Sequence, residues 1–135
     1  MVNGKTVVDI IKRKLRDAGS IVNIPLQKGR MLTVRLMEDG LEVTDLGNQP
    51  FLPWNVFEQT VDLMVRKGGR AERGDAMSSK LGDKGLPLDS IEGHIAHVVY
   101  DKQEGDSVFR RISPIAAILV WAGICVYEPR ELILI

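Results

Sequence analysis

Residues 112–123 read ISPIAAILVWAG, the longest nearly uninterrupted apolar run in the chain and the one with clear punctuation at both ends. Ser113 is a good helix cap, Pro114 sits where a first-turn proline loses no hydrogen bond, and Gly123 is placed for the left-handed residue that closes a helix. The spacing predicts a helix over 114–122, about two and a half turns long. A bilayer takes about 20 apolar residues, so this run does not span one. Apolar on nearly every side, it has to be buried by whatever else the chain builds.

The rest of the chain is ordinary enough to build it. With 135 residues, 44% of them apolar and 27% charged, disorder is excluded and one domain or two small ones are expected. The opening MVNGKTVVDIIKRK has neither the apolar core nor the cleavage site of a signal peptide, so a cytoplasmic location is expected. A single cysteine, Cys125, rules out an intrachain disulfide and a cysteine-rich zinc site. Its place just after the apolar helix predicts a buried thiol.

In order along the chain, residues 6–18 predict an amphipathic helix with Val8, Ile11, Leu15 and Ala18 on one face, Thr6 and Asp9 as a capping pair and Gly19 as its stop. Residues 21–24 predict a short strand. Leu32, Val34 and Leu36 then alternate with polar neighbours, turn at Glu38-Asp39-Gly40 and continue through Leu41 and Val43 as a hairpin. Gly47-Asn48-Gln49-Pro50 breaks the pattern and is the candidate boundary between residues 1–50 and 51–135. Beyond it, Pro53 opens a helix with Phe57, Thr60, Val61 and Met64 on one face, ended by Gly68-Gly69. A shorter helix over 71–81 is expected next. Asp89-Ser90-Ile91-Glu92 is a capping signature for a helix carrying Ile91, Ile95, Val98 and Val99. Residues 125–135 predict two short strands around Glu128-Pro129-Arg130-Glu131. The fold class is therefore α+β: an N-terminal helix plus β-hairpin, then a helical unit with a C-terminal β-hairpin.

The net charge is zero, yet the charges come in blocks. Before position 38, Lys5, Lys12, Arg13, Lys14, Arg16, Lys28, Arg30 and Arg35 face Asp9 and Asp17 alone. Glu38, Asp39, Glu42, Asp45, Glu58 and Asp62 follow without an intervening cation. From 63 to 84, Arg66, Lys67, Arg70, Arg73, Lys80 and Lys84 outnumber Glu72, Asp75 and Asp83. Such blocks bind polyanions or pair with one another.

Helices followed by a hairpin are the layout of a winged helix, a helix-turn-helix variant. Leu52-Pro53, Gly68-Gly69, Arg111-Ile112, Leu119 with Ala122-Gly123-Ile124, and Arg130 before Leu132-Ile133 resemble the N-terminal winged-helix domain of Mrr-type restriction endonucleases, over residues 52–135. The resemblance implies a DNA-binding module in a restriction, mobile-element or regulatory setting. Two departures stand out. The chain has Val120 and Trp121 where that family has basic residues in the DNA-reading helix, and Glu131 where the wing turn has glycine. No Glu-x-Lys triplet is present, so nuclease chemistry is not implied.

Residues that could carry chemistry are sparse. His94 and His97 share a helix face near Glu92 and Asp101, but a metal site needs further well-placed ligands, and ordinary histidines are expected. Ser78, Ser79, Ser90 and Ser107 have no partnered histidine, and Gly68, Gly69, Gly74 and Gly82 lack the ending of a phosphate loop. No catalytic residue, metal or cofactor is expected. The preferred expectation is a non-catalytic, sequence-tolerant contact with double-stranded DNA through Lys12, Arg13, Lys14, Arg16, Arg66, Lys67, Arg70, Arg73, Arg110 and Arg111. The alternative is a protein-interaction unit, most simply a homodimer, with Ile115, Ile118, Val120, Trp121, Leu132 and Leu134 at its interface and the terminal strand as an open edge.

Overall fold

Asn3 starts the first helix, its side-chain oxygen accepting the Thr6 N–H, so the chain turns helical earlier than a Thr6 cap would allow. The computed structural model describes residues 2–44 and 46–135; Asp45 of the acidic block lies outside the described residues. The elements are α1 (Gly4–Asp17), β1 (Ile21–Pro25), β2 (Met31–Leu36), β3 (Gly40–Val43), β4 (Phe51–Pro53), α2 (Trp54–Arg66), β5 (Arg70–Glu72), α3 (Ile91–Val98), α4 (Ile112–Trp121), β6 (Cys125–Glu128) and β7 (Glu131–Leu134). They form an antiparallel sheet of order β1-β2-β3-β4 and a second of order β5-β7-β6. The α+β class with its N-terminal helix and C-terminal hairpin is as expected.

The first layer is α1 on the first sheet. α1 buries Val7, Val8, Ile11 and Leu15, while Ala18 is exposed. The predicted hairpin sets Leu36 opposite Leu41, with the Met37 N–H donating to the Gly40 carbonyl. β4 then pairs with β3, bringing Leu52 opposite Leu41. Gly40 has to be glycine for this: a Cβ there would collide with the Leu52 carbonyl oxygen.

That pairing removes the boundary proposed at residue 50. β4 and α2, from beyond it, add a strand to the first sheet and pack on α1, and one buried cluster runs from Val7 to Leu132. Residues on both sides of position 50 share one sheet and one core, and Gly47–Pro50 is an interstrand loop.

The second layer follows α2, β5, α3, α4, β6, β7, a helical unit that ends in a C-terminal hairpin as expected. One element differs. Residues 71–81 are not a helix, because Ala71 is buried opposite Leu132 in β5, Gly74 takes a positive φ, and the Asp75 carboxylate accepts the N–H groups of Met77 and Ser78 to hold a turn. α3 is capped by Ser90, which accepts from Gly93 N–H at 3.1 Å, as its sequence signature requires. Val98, expected on its apolar face, is exposed.

α4 is longer than expected at its start and shorter at its end. Arg111 is its N-cap, with no side-chain cap of its own, and Ser113 lies inside the helix rather than capping it. The carboxylate of Glu92 substitutes from α3, its Oε1 accepting the Arg111 N–H at 2.6 Å. Gly123, at positive φ, closes the helix as predicted. α4 packs against β6 on one side and β1 of the first sheet on another, which buries Ile112, Pro114, Ile115, Ala116, Ala117, Ile118 and Leu119.

This burial corrects the proposed interface. Ile115, Ile118 and Leu132 are each 0% exposed inside the chain, so the apolar surplus is core. β7 is the central strand of its sheet, flanked by β5 and β6, and presents no open edge. Val120, Trp121 and Leu134 are half-buried. Among the described residues, no helix is long and apolar enough to cross a membrane.

Candidate nucleic-acid interface

The basic residues singled out in the sequence do not gather on one face. On α1, Lys12 Nζ lies 5.1 Å from the Trp54 ring centre, and Lys14 Nζ lies 4.8 Å from that of Trp121 while donating to its carbonyl. Arg13 and Arg16 are exposed on the same helix, and Arg66 is exposed at the end of α2. Lys67 is paired with Asp89 at 2.8 Å, and Arg70 with Glu131 at 2.6 Å. Those pairs hold the Asp89 and Glu131 carboxyls below their ordinary values, chiefly through the hydrogen bonds they receive. Arg111 is corrected outright: at 6% exposure it belongs to the interior and reaches no phosphate on the surface.

Arg73 and Arg110 have a different setting. Both line a groove of ≈ 1200 Å³ whose other cations are Lys28, Arg30, Lys84 and Arg130, against the carboxylates of Glu72 and Asp75. The chain is neutral overall, so this local surplus of four positive charges is a strong asymmetry. Leu26, Ile112, Ala116 and Tyr127 add an apolar and aromatic lining.

Each cation is held by local backbone chemistry. Lys28 and Arg30 bracket Gly29, whose positive φ lets the β1–β2 loop close with the Leu26 N–H on the Arg30 carbonyl at 2.7 Å. Lys84 sits in a loop tied down by the Asp75 N–H on the Gly85 carbonyl at 2.9 Å. Arg110 enters α4, and its Nη1 is 3.2 Å from Met77 Sδ. Arg73 follows β5, its own N–H donating to the Arg130 carbonyl at 2.8 Å and so fixing the β6–β7 turn. Its guanidinium donates to Gln27 Oε1 at 2.7 Å and lies 5.6 Å from the Tyr127 ring centre.

Arg130 stands out among these. It occupies the left-handed region at φ 63°, next to Pro129 in the two-residue turn between β6 and β7. A non-glycine residue there costs about 1–2 kcal/mol, and such strain concentrates at functional sites. Glycine would relieve it, yet the turn presents an exposed arginine to the groove.

Beneath the groove lies a buried polar cluster. Glu92 is 1% exposed, and burial pushes its carboxyl up to about 7, against the opposing pull of the Arg111 N–H and guanidinium. Its own N–H donates to the Arg73 carbonyl at 3.0 Å, which links α3 to the groove's edge. The histidines are engaged separately: His94 Nε2 donates to Gln59 Oε1 at 2.9 Å and His97 Nδ1 to the Lys102 carbonyl at 2.8 Å. Among the described residues no three His, Cys, Asp or Glu side chains gather as they would around a metal ion. Cys125 is buried as expected, and desolvation pushes its thiol up to about 12.

The cations that sequence reasoning missed as site residues are Lys28, Arg30, Lys84 and Arg130. They come from three separate loops and are brought together by the packing of β1 on α4 and of β5 on β7. Comparison with family models, curated proteins and solved structures finds no match to this chain.

Proposed function

We propose that this protein is a non-catalytic DNA-binding module that holds duplex phosphates along the groove between the β1–β2 loop and the wing turn. The observation that carries the reading is the concentration of six cations against two carboxylates on one concave surface of a neutral chain. Arginine and lysine on loops suit phosphate contact, which positions a duplex without reading its sequence. The likeness to Mrr-type winged-helix domains supports the same class with one change of surface. Base readout needs polar side chains in the major groove. α4 is covered by β1 and β6 and brings a single polar side chain, Ser113, to the groove, so contact falls to the β6–β7 turn and the flanking loops.

The test is fluorescence anisotropy of a labelled random-sequence duplex at about 50 and about 200 mM salt. Roughly four phosphate contacts weaken affinity by about 10²-fold between those salts. Lys84→Ala with Arg130→Ala lowers affinity for unrelated duplexes alike, whereas Arg70→Ala, whose guanidinium is engaged by Glu131, changes it little. Absence of binding at both salts refutes the reading. Self-association keeps Val120, Trp121 and Leu134 of its six candidate residues, and Trp121 is already covered by Lys14.

A further inference from the structure

The first sheet buries one face and leaves the other open. Val34 and Val43, directly opposite each other, are 0% and 1% exposed and point into the core. Side chains alternate along a strand, so their neighbours point outward. One residue along, Ile21, Arg35, Glu42 and Phe51 stand in register across β1, β2, β3 and β4 and form a single row on the outer face. Ile21 is 48% and Phe51 41% exposed at its ends, and the half-exposed side chains of Arg35 and Glu42 meet at 3.5 Å in its middle.

The next outward row, Asn23, Thr33 and Thr44, is polar but tied within the sheet. Thr33 Oγ1 donates to Asn23 Oδ1 at 2.8 Å, and the Thr33 N–H to Thr44 Oγ1 at 3.0 Å. These bonds survive when the face is covered, which lowers the desolvation cost of covering it. Beyond them Met31, opposite Pro25, is 55% exposed and extends the apolar margin.

The order of the first row selects the occupant. A two-fold axis parallel to the strands, lying over the face between β2 and β3, turns the row end for end. Arg35 of one copy then meets Glu42 of the other, twice, and Ile21 meets Phe51, twice. The face is thus complementary to itself in charge and in its apolar ends, the condition for an isologous interface. The chain carries no net charge, so two copies do not repel. A polyanion would meet one carboxylate for each guanidinium in this row and gain nothing.

We propose that the outer face of the first sheet docks a second copy of this chain, sheet on sheet, about that two-fold axis. The two intrachain Arg35–Glu42 pairs join into one four-membered charge network, and the strands of the two sheets pack aligned as in a sandwich. Polar at its centre, the interface is reversible rather than obligate. None of its residues lines the cationic groove, so it does not depend on DNA binding.

The experiment is sedimentation equilibrium of the full chain from about 10 μM to about 1 mM, the range over which a weak reversible interface dissociates. A monomer–dimer equilibrium is expected. Arg35→Glu and Glu42→Arg each set like charges against one another across the axis and weaken self-association at least about tenfold. An equal mixture of the two variants restores the dimer, because a row with two carboxylates then faces a row with two cations. A pair that served only its own chain would show no such rescue. Both side chains are exposed at about half their area, so urea unfolding changes little in either variant. A monomer throughout the concentration range overturns the proposal. So does a dimer that neither substitution weakens, or a mixture that fails to restore it.

Discussion

Replacing Glu92 by glutamine isolates the energetic effect of one buried carboxyl. Glu92 is 1% exposed, and burial raises its carboxyl from 4.5 to about 7. A raised carboxyl means that the folded state holds the proton more tightly than the unfolded chain does. The resulting stabilisation is complete below about pH 4.5 and is lost as pH climbs through 7. Two and a half units correspond to about 3 kcal/mol in full, of which about 2 kcal/mol falls between pH 5 and 7.5. His94 acts in the opposite direction: burial lowers its pKa, so it removes stability as pH falls through the ordinary imidazole range. The two effects overlap, and the wild-type curve alone therefore does not separate them. Glu92→Gln does, because glutamine keeps an oxygen for the Arg111 N–H and removes the titration, while His94 is common to both proteins. Urea unfolding at half-unit steps from pH 5 to 7.5 measures the difference. The wild type, relative to the variant, should lose about 2 kcal/mol across that window. A difference that is flat, or that grows in favour of the wild type with rising pH, refutes the assignment of Glu92 as a carboxyl held neutral by burial.

Three further outcomes follow from the geometry. Arg130→Gly relieves a left-handed backbone at φ 63°, so unfolding free energy is unchanged or rises by up to about 1 kcal/mol, while duplex affinity in the anisotropy assay falls; a destabilised variant contradicts the strain. Gly40→Ala drives a Cβ into the Leu52 carbonyl and separates β4 from β3, lowering stability by about 1–3 kcal/mol in urea; a neutral result contradicts the close approach. Cys125 is 0% exposed with its thiol pushed up to about 12, so an aromatic disulfide reagent at pH 8 labels it only as fast as the protein opens; rapid labelling under native conditions contradicts its burial.

The elements were legible wherever a period and a cap agreed. Leu32, Val34 and Leu36 with a turn at Gly40 gave the hairpin, and Ser90 gave the start of α3, because both signals are local and need no tertiary partner. Residues 71–81 misled for the opposite reason. Ala71 has helix propensity, but β7 arrives from sixty residues away to pair with it, and burial opposite Leu132 outweighs a preference of tenths of a kcal/mol. The cap of α4 was equally out of reach: Ser113 has the right chemistry two residues too late, while the group that serves, Glu92, lies on another helix.

The site repeats this division between local and distant signals. Charge blocks are visible in sequence, but what a cation faces is decided by packing. Arg70 and Lys67 look as available as Arg73 until Glu131 and Asp89 are placed beside them. Arg111 looks like its neighbour Arg110, yet consecutive residues entering α4 go to different places. Arg110 lines the groove, and Arg111 is drawn inward by the Tyr100 and Phe109 rings and by Gln49. The cations that complete the groove were passed over because each is unremarkable in its own loop. Lys28 and Arg30 sit at a glycine turn, Lys84 precedes another glycine, and Arg130 follows a proline. Only Arg130 carries a mark that belongs to the residue itself, a left-handed backbone without glycine, and that backbone appears only once β6 and β7 are paired across a two-residue turn. Glycine is the residue that fits this backbone without strain, so Arg130→Gly separates the conformational preference of the turn from the charge that it presents to the groove.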